Sequence, residues 1–238
     1  MTKKYYDDHE GAYRTIKEKG EYGWQAPGLA GFQESMAVEL VSAVVRRHFS
    51  DVTGKSALDL GCGTGPTALT LHQLGFNTTG IDISPTAIEL AHKMNPAIHF
   101  EVADVLTYRR KFDFIYDSHC LHCIVTEEDR RAFFHMLREN LLPGGAAFID
   151  TMVWREGYSC DIPSLRFDED FILWHPTNDH SKIGCAIHEG KWWCPQRRIY
   201  PATKVLDEIA GAGLKVVFQN VIEQPLNEPF MLQVMVSL

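Results

Sequence analysis

Short apolar runs of strand length alternate with stretches of helical spacing along most of the chain. The strand-like runs are 56–60 (SALDL), 77–82 (NTTGID), 98–102 (IHFEV), 112–117 (FDFIYD) and 145–153 (GAAFIDTMV). Between them lie helical stretches at 66–75, 85–94 and 126–141. A further helix is predicted over 33–49, where Met36, Leu40, Val44 and Val45 recur at helical spacing. Apolar strands separated by helices imply right-handed crossovers on a parallel sheet covered on both faces. After residue 153 the rhythm breaks, then resumes with a helix over 201–213 and two strands, 214–222 and 230–238. The linker EQPLNEP between those strands is too short for a helical crossover, so they are predicted to pair antiparallel, as a hairpin at or near the sheet edge.

Two segments fall outside this rhythm. Residues 1–32 are polar, aromatic and glycine-rich, and are expected to form an arm or lid carrying Tyr5, Tyr6, Tyr13, Tyr22 and Trp24. Residues 154–197 are expected to be a long irregular insertion over the substrate site. They hold Trp154, Trp174, Trp192 and Trp193 out of five tryptophans, which marks the segment as a candidate binding loop. The whole of 1–238 reads as one domain.

Composition narrows the function. The balance of 23 Lys+Arg against 31 Asp+Glu gives a net charge of −8, which repels phosphate backbones and argues against a nucleic-acid partner. The apolar runs are too short to suggest a membrane partner, and the N-terminus lacks an apolar stretch of signal type. Six cysteines are too sparse for a disulfide framework in 238 residues, so a cytoplasmic chain with reduced thiols is expected. Oligomeric state is not legible.

The most informative stretch is Ala57-Leu58-Asp59-Leu60-Gly61-Cys62-Gly63-Thr64-Gly65-Pro66. An apolar strand runs into three alternating glycines, and Pro66 stands where a first helical turn would begin. Glycines here let the backbone turn tightly and approach a ligand. The second strand ends at Asp82, followed by Ile83, where a carboxylate can accept both hydroxyls of a ribose. Read as Gly63-x-Gly65-x-x-Ala68, the loop also satisfies a loose dinucleotide fingerprint, so an NAD(P)-dependent oxidoreductase is one alternative. Three features favour another ligand: Asp59, placed to meet a cation; Asp104-Val105 after the third strand, placed to accept from an adenine amino group; and the antiparallel end hairpin.

With these features in place, the sequence resembles the class I S-adenosylmethionine-dependent methyltransferases, from about residue 35 to the C-terminus apart from 154–197. The matching blocks are LDLGCGTG (58–65), GIDIS (80–84), ADV (103–105), KFDFIYDSHCLHCI (111–124) and ENLLPGGAAFID (139–150). The resemblance implies a doubly wound, mostly parallel seven-stranded α/β sheet of order 3-2-1-4-5-7-6 with its last strand antiparallel. It also implies S-adenosylmethionine as cofactor. Asp59 and the backbone of Gly61, Gly63 and Gly65 would hold the methionine part, Asp82 the ribose, and Asp104 with Val105 the adenine. Asp117 and Ser118 would line the space near the methyl donor, and Tyr13 is the residue of the N-terminal arm expected to close over the cofactor. A catalytically silent, cofactor-binding subunit is the second alternative.

Methyl transfer requires an aligned nucleophile and, where needed, a proton acceptor. His119 and His122, in the stretch after the fourth strand, are the candidate bases. Trp192 and Trp193 beside Arg197 and Arg198 are read as an aromatic wall with a cationic clamp for an anionic small-molecule acceptor, methylated on oxygen, nitrogen or sulfur. Cys120-x-x-Cys123 and the set Cys185, His188 and Cys194 have metal-like spacing, but the expectation is packing of small thiols and no metal.

Overall fold

A computed structural model describes residues 4–22, 28–158, 164–179, 181–225 and 227–238. The five strands of the alternating part form as Ser56–Leu60 (β1), Asn77–Asp82 (β2), His99–Val102 (β3), Phe112–Ser118 (β4) and Leu141–Val153 (β5). The closing strands are Lys215–Ile222 (β10) and Phe230–Ser237 (β11). Together they make one seven-stranded sheet of order β10-β11-β5-β4-β1-β2-β3. All pairings from β3 to β5 are parallel, whereas β11 runs antiparallel to both β5 and β10. This is the expected order, and the hairpin does form the sheet edge.

Alternation along the central strands sorts the core into two layers. Ala57, Phe114 and Phe148 face Val41, Val44 and Val45 of α3 (Val38–His48). Leu58, Ile115 and Ile149 face the opposite way, onto Phe133, Phe134 and Leu137 of α6 (Glu127–Asn140) and Val205 and Ile209 of α7 (Ala202–Gly211). The helices between strands begin where their caps dictate. Pro66 opens α4 (Pro66–Gln73) behind Gly65, Ser84 caps α5 (Pro85–Met94) by accepting from the Ala87 N–H, and Thr126 caps α6 through Asp129.

Three expectations are corrected. The single helix predicted over 33–49 is two, α2 (Gly28–Ser35) and α3, because Ala37 adopts a left-handed φ of 45° and breaks the run. By length and mean hydropathy of 1.2, Gly28–His48 would pass for a membrane span, but it is broken at Ala37, and Val41, Val44 and Val45 of its second half dock on the sheet. The insertion is not irregular: Arg166–Phe167 (β6), Ile172–Pro176 (β7), Ala186–His188 (β8) and Lys191–Arg198 (β9) build a second, antiparallel sheet of order β6-β7-β9-β8. Its tightest link is the hairpin through Glu189 and Gly190, whose positive φ values of 50° and 74° suit a two-residue turn.

The expected N-terminal arm is likewise structured, as a 3-10 turn (Tyr5–Asp7) and α1 (Asp8–Glu18). Tyr5 and Tyr6 join the main core, and the Tyr5 hydroxyl donates to Asp129 and accepts from the Val125 N–H at 2.8 Å. Trp24, Cys160 and His180 lie outside the described residues.

Candidate active site

All five parallel strands end on the same edge, and a pocket of about 450 Å³ opens there. Its lining includes Asp59, Gly61 and Gly63 from the end of β1, Asp82 and Ile83 from β2, Asp104 and Val105 after β3, Ser118 and His119 from β4, and Asp150 from β5. The glycine loop is held by its own backbone: Cys62 N–H donates to Ile81 and Gly65 N–H to Cys62. Gly63 has a φ of 55°, and the Tyr13 ring lies directly against it, so any side chain there would collide with the tyrosine hydroxyl. Tyr13 thus roofs the loop from α1 and lines the pocket.

The carboxylates differ in what they have left to offer. Asp59 is buried, and its Oδ2 has no hydrogen-bond partner. Burial, together with the nearby Asp117 and Asp82, pushes its carboxyl well above the ordinary range. A carboxylate left this way at a pocket wall lacks a cationic or hydrogen-bonding ligand. Asp82 accepts from Ser84 N–H at 2.8 Å on one oxygen and from Gly63 N–H at 2.9 Å on the other. Burial outweighs these bonds and lifts it to about 6. Each oxygen keeps a second lone pair for a ligand. Asp104 accepts from Leu106 N–H and from the Tyr6 hydroxyl at 2.9 Å, which brings Tyr6 to the same wall.

The other end of the pocket gathers His9, His119, His122, Cys120, Cys123, Asp150 and Arg197. His119 sits at a φ of 70°, uncommon outside glycine, and its Nδ1 lies 2.8 Å from Ser118 Oγ. Enclosure by protein and the Arg197 charge lower its pKa. His122 is buried and receives the Met152 N–H at Nδ1, 3.3 Å. Because a backbone N–H can only donate, neutral His122 must carry its proton on Nε2. Burial first, then His119 and Arg197, hold its pKa well below 6.5. The two histidines therefore differ: His119 can present a lone pair, and His122 presents an N–H. Arg197 Nε is buried without a hydrogen-bond partner.

Several expected site residues are placed elsewhere. Gly65 does not line the pocket; its φ of 86° and the Phe100 ring, 2.6 Å from where a Cβ would stand, make it a packing glycine. Asp117 is fully buried beneath the site, and its carboxylate accepts from the Cys120 and Leu121 N–H groups, fixing the loop that carries both histidines. Trp192, Trp193 and Arg198 do not reach the pocket either. Arg166 lies over the Trp193 ring, and Arg198 is buried over Tyr200 while donating to the Val125 carbonyl. The remaining tryptophans anchor the insertion: Trp154 packs edge-on to Tyr158, Phe167 and Phe171, and Trp174 donates to Asp168. Of the clamp, only Arg197 meets the pocket.

Tyr6, one of the aromatic residues expected in the N-terminal arm, also lines it, as do His9, Glu34 and Asp150, which were not singled out by sequence. Asp150 carried a signal, an acid ending the apolar run AAFID at the ligand-binding edge of the sheet. It is buried, its Oδ1 lacks a partner, and burial raises it to about 6. His9 and Glu34 carried none, since only the docking of α1 and α2 brings them here.

A family model described as a methyltransferase domain matches residues 57–145. The ubiquinone biosynthesis O-methyltransferase of Rickettsia typhi is 28% identical over 146 residues, 60% of this chain and 58% of that protein. An O-methyltransferase of Pyrenophora dematioidea is 30% identical over 146 residues, 56% and 53% of the two chains. The chain thus spans less than two thirds of the length of these relatives. Among solved structures, the Burkholderia thailandensis 1,6-didemethyltoxoflavin-N1-methyltransferase shares the fold with a TM-score of 0.63 at 17% identity, covering 98% of this chain and 88% of that one. The dinucleotide alternative falls with these matches. Residues 57–145 thus match a methyltransferase domain, and the strand order and glycine loop agree with the class I S-adenosylmethionine-dependent methyltransferases that the chain resembles.

Proposed function

We propose that this chain transfers the methyl group of S-adenosylmethionine to an oxygen or nitrogen atom of a small acceptor that carries an acidic group. The observation that supports it is one continuous pocket with partner-seeking carboxylates at one end and Arg197 among histidines at the other. The first end fits the cofactor on this chain's own chemistry. The orphaned Asp59 oxygen would meet its ammonium group, the free lone pairs of Asp82 the ribose hydroxyls, and Asp104 with Val105 the adenine. When bound, the cofactor supplies a methyl group already activated by a positively charged sulfur.

The protein's own work is to hold the acceptor and manage its proton. Arg197, with Nε–H unpaired, would receive the acidic group, and His122 would donate to the acceptor from Nε2. His119 is uncharged at neutral pH; with Nδ1–H donating to Ser118 Oγ, its Nε2 lone pair is available for the proton of a hydroxyl or ammonium nucleophile. Tyr13, Tyr6 and His9, from the N-terminal elements, would shield both ends from water.

Titration with S-adenosylhomocysteine, followed by a screen of phenolic and carboxylic metabolites for S-adenosylhomocysteine release, tests this. Arg197→Gln should raise KM for the accepted acid at least about tenfold and leave cofactor affinity unchanged. Binding without turnover on any acceptor would favour the silent subunit. Turnover on neutral acceptors, indifferent to Arg197, would remove the acidic acceptor while keeping methyl transfer.

A further inference from the structure

Away from the pocket, the seam between the N-terminal elements and the inserted sheet collects donors that the methyl-transfer chemistry does not use. Three adjacent strands set up one row. His175 on β7 is the register partner of Cys194 on β9. On the other side, the β8–β9 ladder ends at the pair Ala186 with Trp193, and Cys185 and Cys194 are the next residues beyond that pair on the two strands' chains. Directly opposed residues of an antiparallel ladder project from the same face, so the His175 imidazole and the Cys194 sulfur lie side by side. The Cys185 and Cys194 thiols are near enough to influence each other electrostatically and are not bridged; Cys185 Sγ donates to the Asp179 carbonyl at 3.8 Å. Asp8, from the first turn of α1, closes on this row: ligand atoms of Asp8, His175 and Cys194 all lie within 4.8 Å of one another.

We propose that Asp8, His175 and Cys194, with Cys185 turning in from beside them as the fourth donor, form a zinc-type metal site that staples the N-terminal helix to the insertion. Two thiolates, an imidazole and a carboxylate are a donor set suited to a tetrahedral, borderline-soft divalent cation. At the usual zinc–ligand bond lengths, donors in a tetrahedron stand about 3.3–3.8 Å apart. His175 Nε2 and Asp8 Oδ2 are 3.6 Å apart.

The surroundings orient the donors. His175 Nδ1 faces the Pro176 carbonyl at 3.1 Å, and a carbonyl can only accept, so Nδ1 carries the proton and the Nε2 lone pair is left for a metal. Lys182 occupies Asp8 Oδ1, leaving Oδ2 on the side of the imidazole. The charges also balance, since two thiolates and a carboxylate against a divalent ion leave one negative charge beside the Lys182 ammonium. Loading would expel the two thiol protons. This set differs from the one suggested by spacing: Cys120 and Cys123 line the pocket instead, and His188 is half-exposed beside Glu189.

The site places its staple where function would feel it. Asp8 adjoins His9, and Cys194 lies on the strand that carries Arg197, so both halves of the acceptor end are tied by one ion. The site does not depend on the proposed methyl transfer and is tested apart from it. The full chain, purified without chelator or histidine tag, should contain about one zinc by elemental analysis. Cys194→Ser and His175→Ala should lose it, and His188→Ala should keep it. Wild-type protein refilled with cobalt should show tetrahedral ligand-field bands in the visible and sulfur-to-cobalt charge transfer in the near ultraviolet, whatever the folding of the variants. A chain with free thiols that takes up neither zinc nor cobalt would overturn the proposal. So would a Cys185–Cys194 disulfide in freshly isolated protein, which would make the sulfur pair redox-active instead.

Discussion

Replacing Asp117 by Asn probes the electrostatics beneath the site. Asp117 is fully buried, and its two oxygens accept from Cys120 N–H at 2.8 Å and Leu121 N–H at 3.1 Å. Burial raises its pKa, the two N–H bonds oppose the rise, Asp150 adds to it and Arg130 subtracts; the result is about 7, against 3.8 for an ordinary aspartate. A carboxyl raised on folding contributes stability that is complete below the unfolded value and is lost as pH climbs through the folded one. Between pH 5 and pH 8 the climb covers about two pH units before the native group is fully ionised, or about 2.7 kcal/mol at 1.36 kcal/mol per unit. Asparagine keeps the shape of the protonated acid and does not titrate. The difference in unfolding free energy, variant minus wild type, should therefore move in favour of Asp117→Asn by about 2–3 kcal/mol over that range. Urea unfolding of both proteins at pH 5, 6, 7 and 8 measures it, and titrations of distant groups cancel in the difference. A difference constant to within about 0.5 kcal/mol would refute a protonated Asp117. The same variant should bind S-adenosylhomocysteine within about threefold of wild type, because Asp117 supports the loop and does not face the pocket.

Three further substitutions separate the other roles. Asp82→Ala should weaken S-adenosylhomocysteine binding by about 1–3 kcal/mol in calorimetry. In the wild type, affinity should fall as pH drops below about 6, since ionised Asp82 is the better acceptor for hydroxyls; affinity flat from pH 8 to pH 5 would contradict this. His119→Ala should lower turnover about 100-fold while leaving cofactor affinity intact, and unchanged turnover would remove it as the base. Gly65→Ala should cost about 2–4 kcal/mol in thermal or urea unfolding, from its φ of 86° and the collision with Phe100; the double variant with Phe100→Leu should recover the steric part and not the backbone part.

Legibility followed the range of the interactions involved. The sheet strands and the crossover helices were readable because each is set by residues a few positions apart: the run SALDL, the cap at Ser84, Pro66 behind Gly65. Where local signals competed, the reading failed. Met36, Leu40, Val44 and Val45 share one helical spacing, yet Ala37 breaks the helix, and no residue type near it announces a left-handed alanine. The inserted sheet was hidden because its strands are short and its apolar positions are shared among aromatic contacts rather than alternating.

At the site, the sequence by itself determined the loop and its acids. Asp59, Asp82 and Asp104 follow strand ends within a few residues, so their meeting at one edge is a consequence of parallel strands sharing a direction. Tertiary structure alone decided the rest. Whether an arginine clamps a ligand or a core depends on which way a strand presents it: Arg197 faces the pocket, while Arg198, one residue on, is turned by the pleat into the protein against Tyr200. His9 arrives from more than a hundred residues away from His119, and Asp8 meets Cys194 across an even longer loop of chain. Such meetings are fixed by how helices and a second sheet dock, through burial summed over many side chains, and no local pattern encodes that sum.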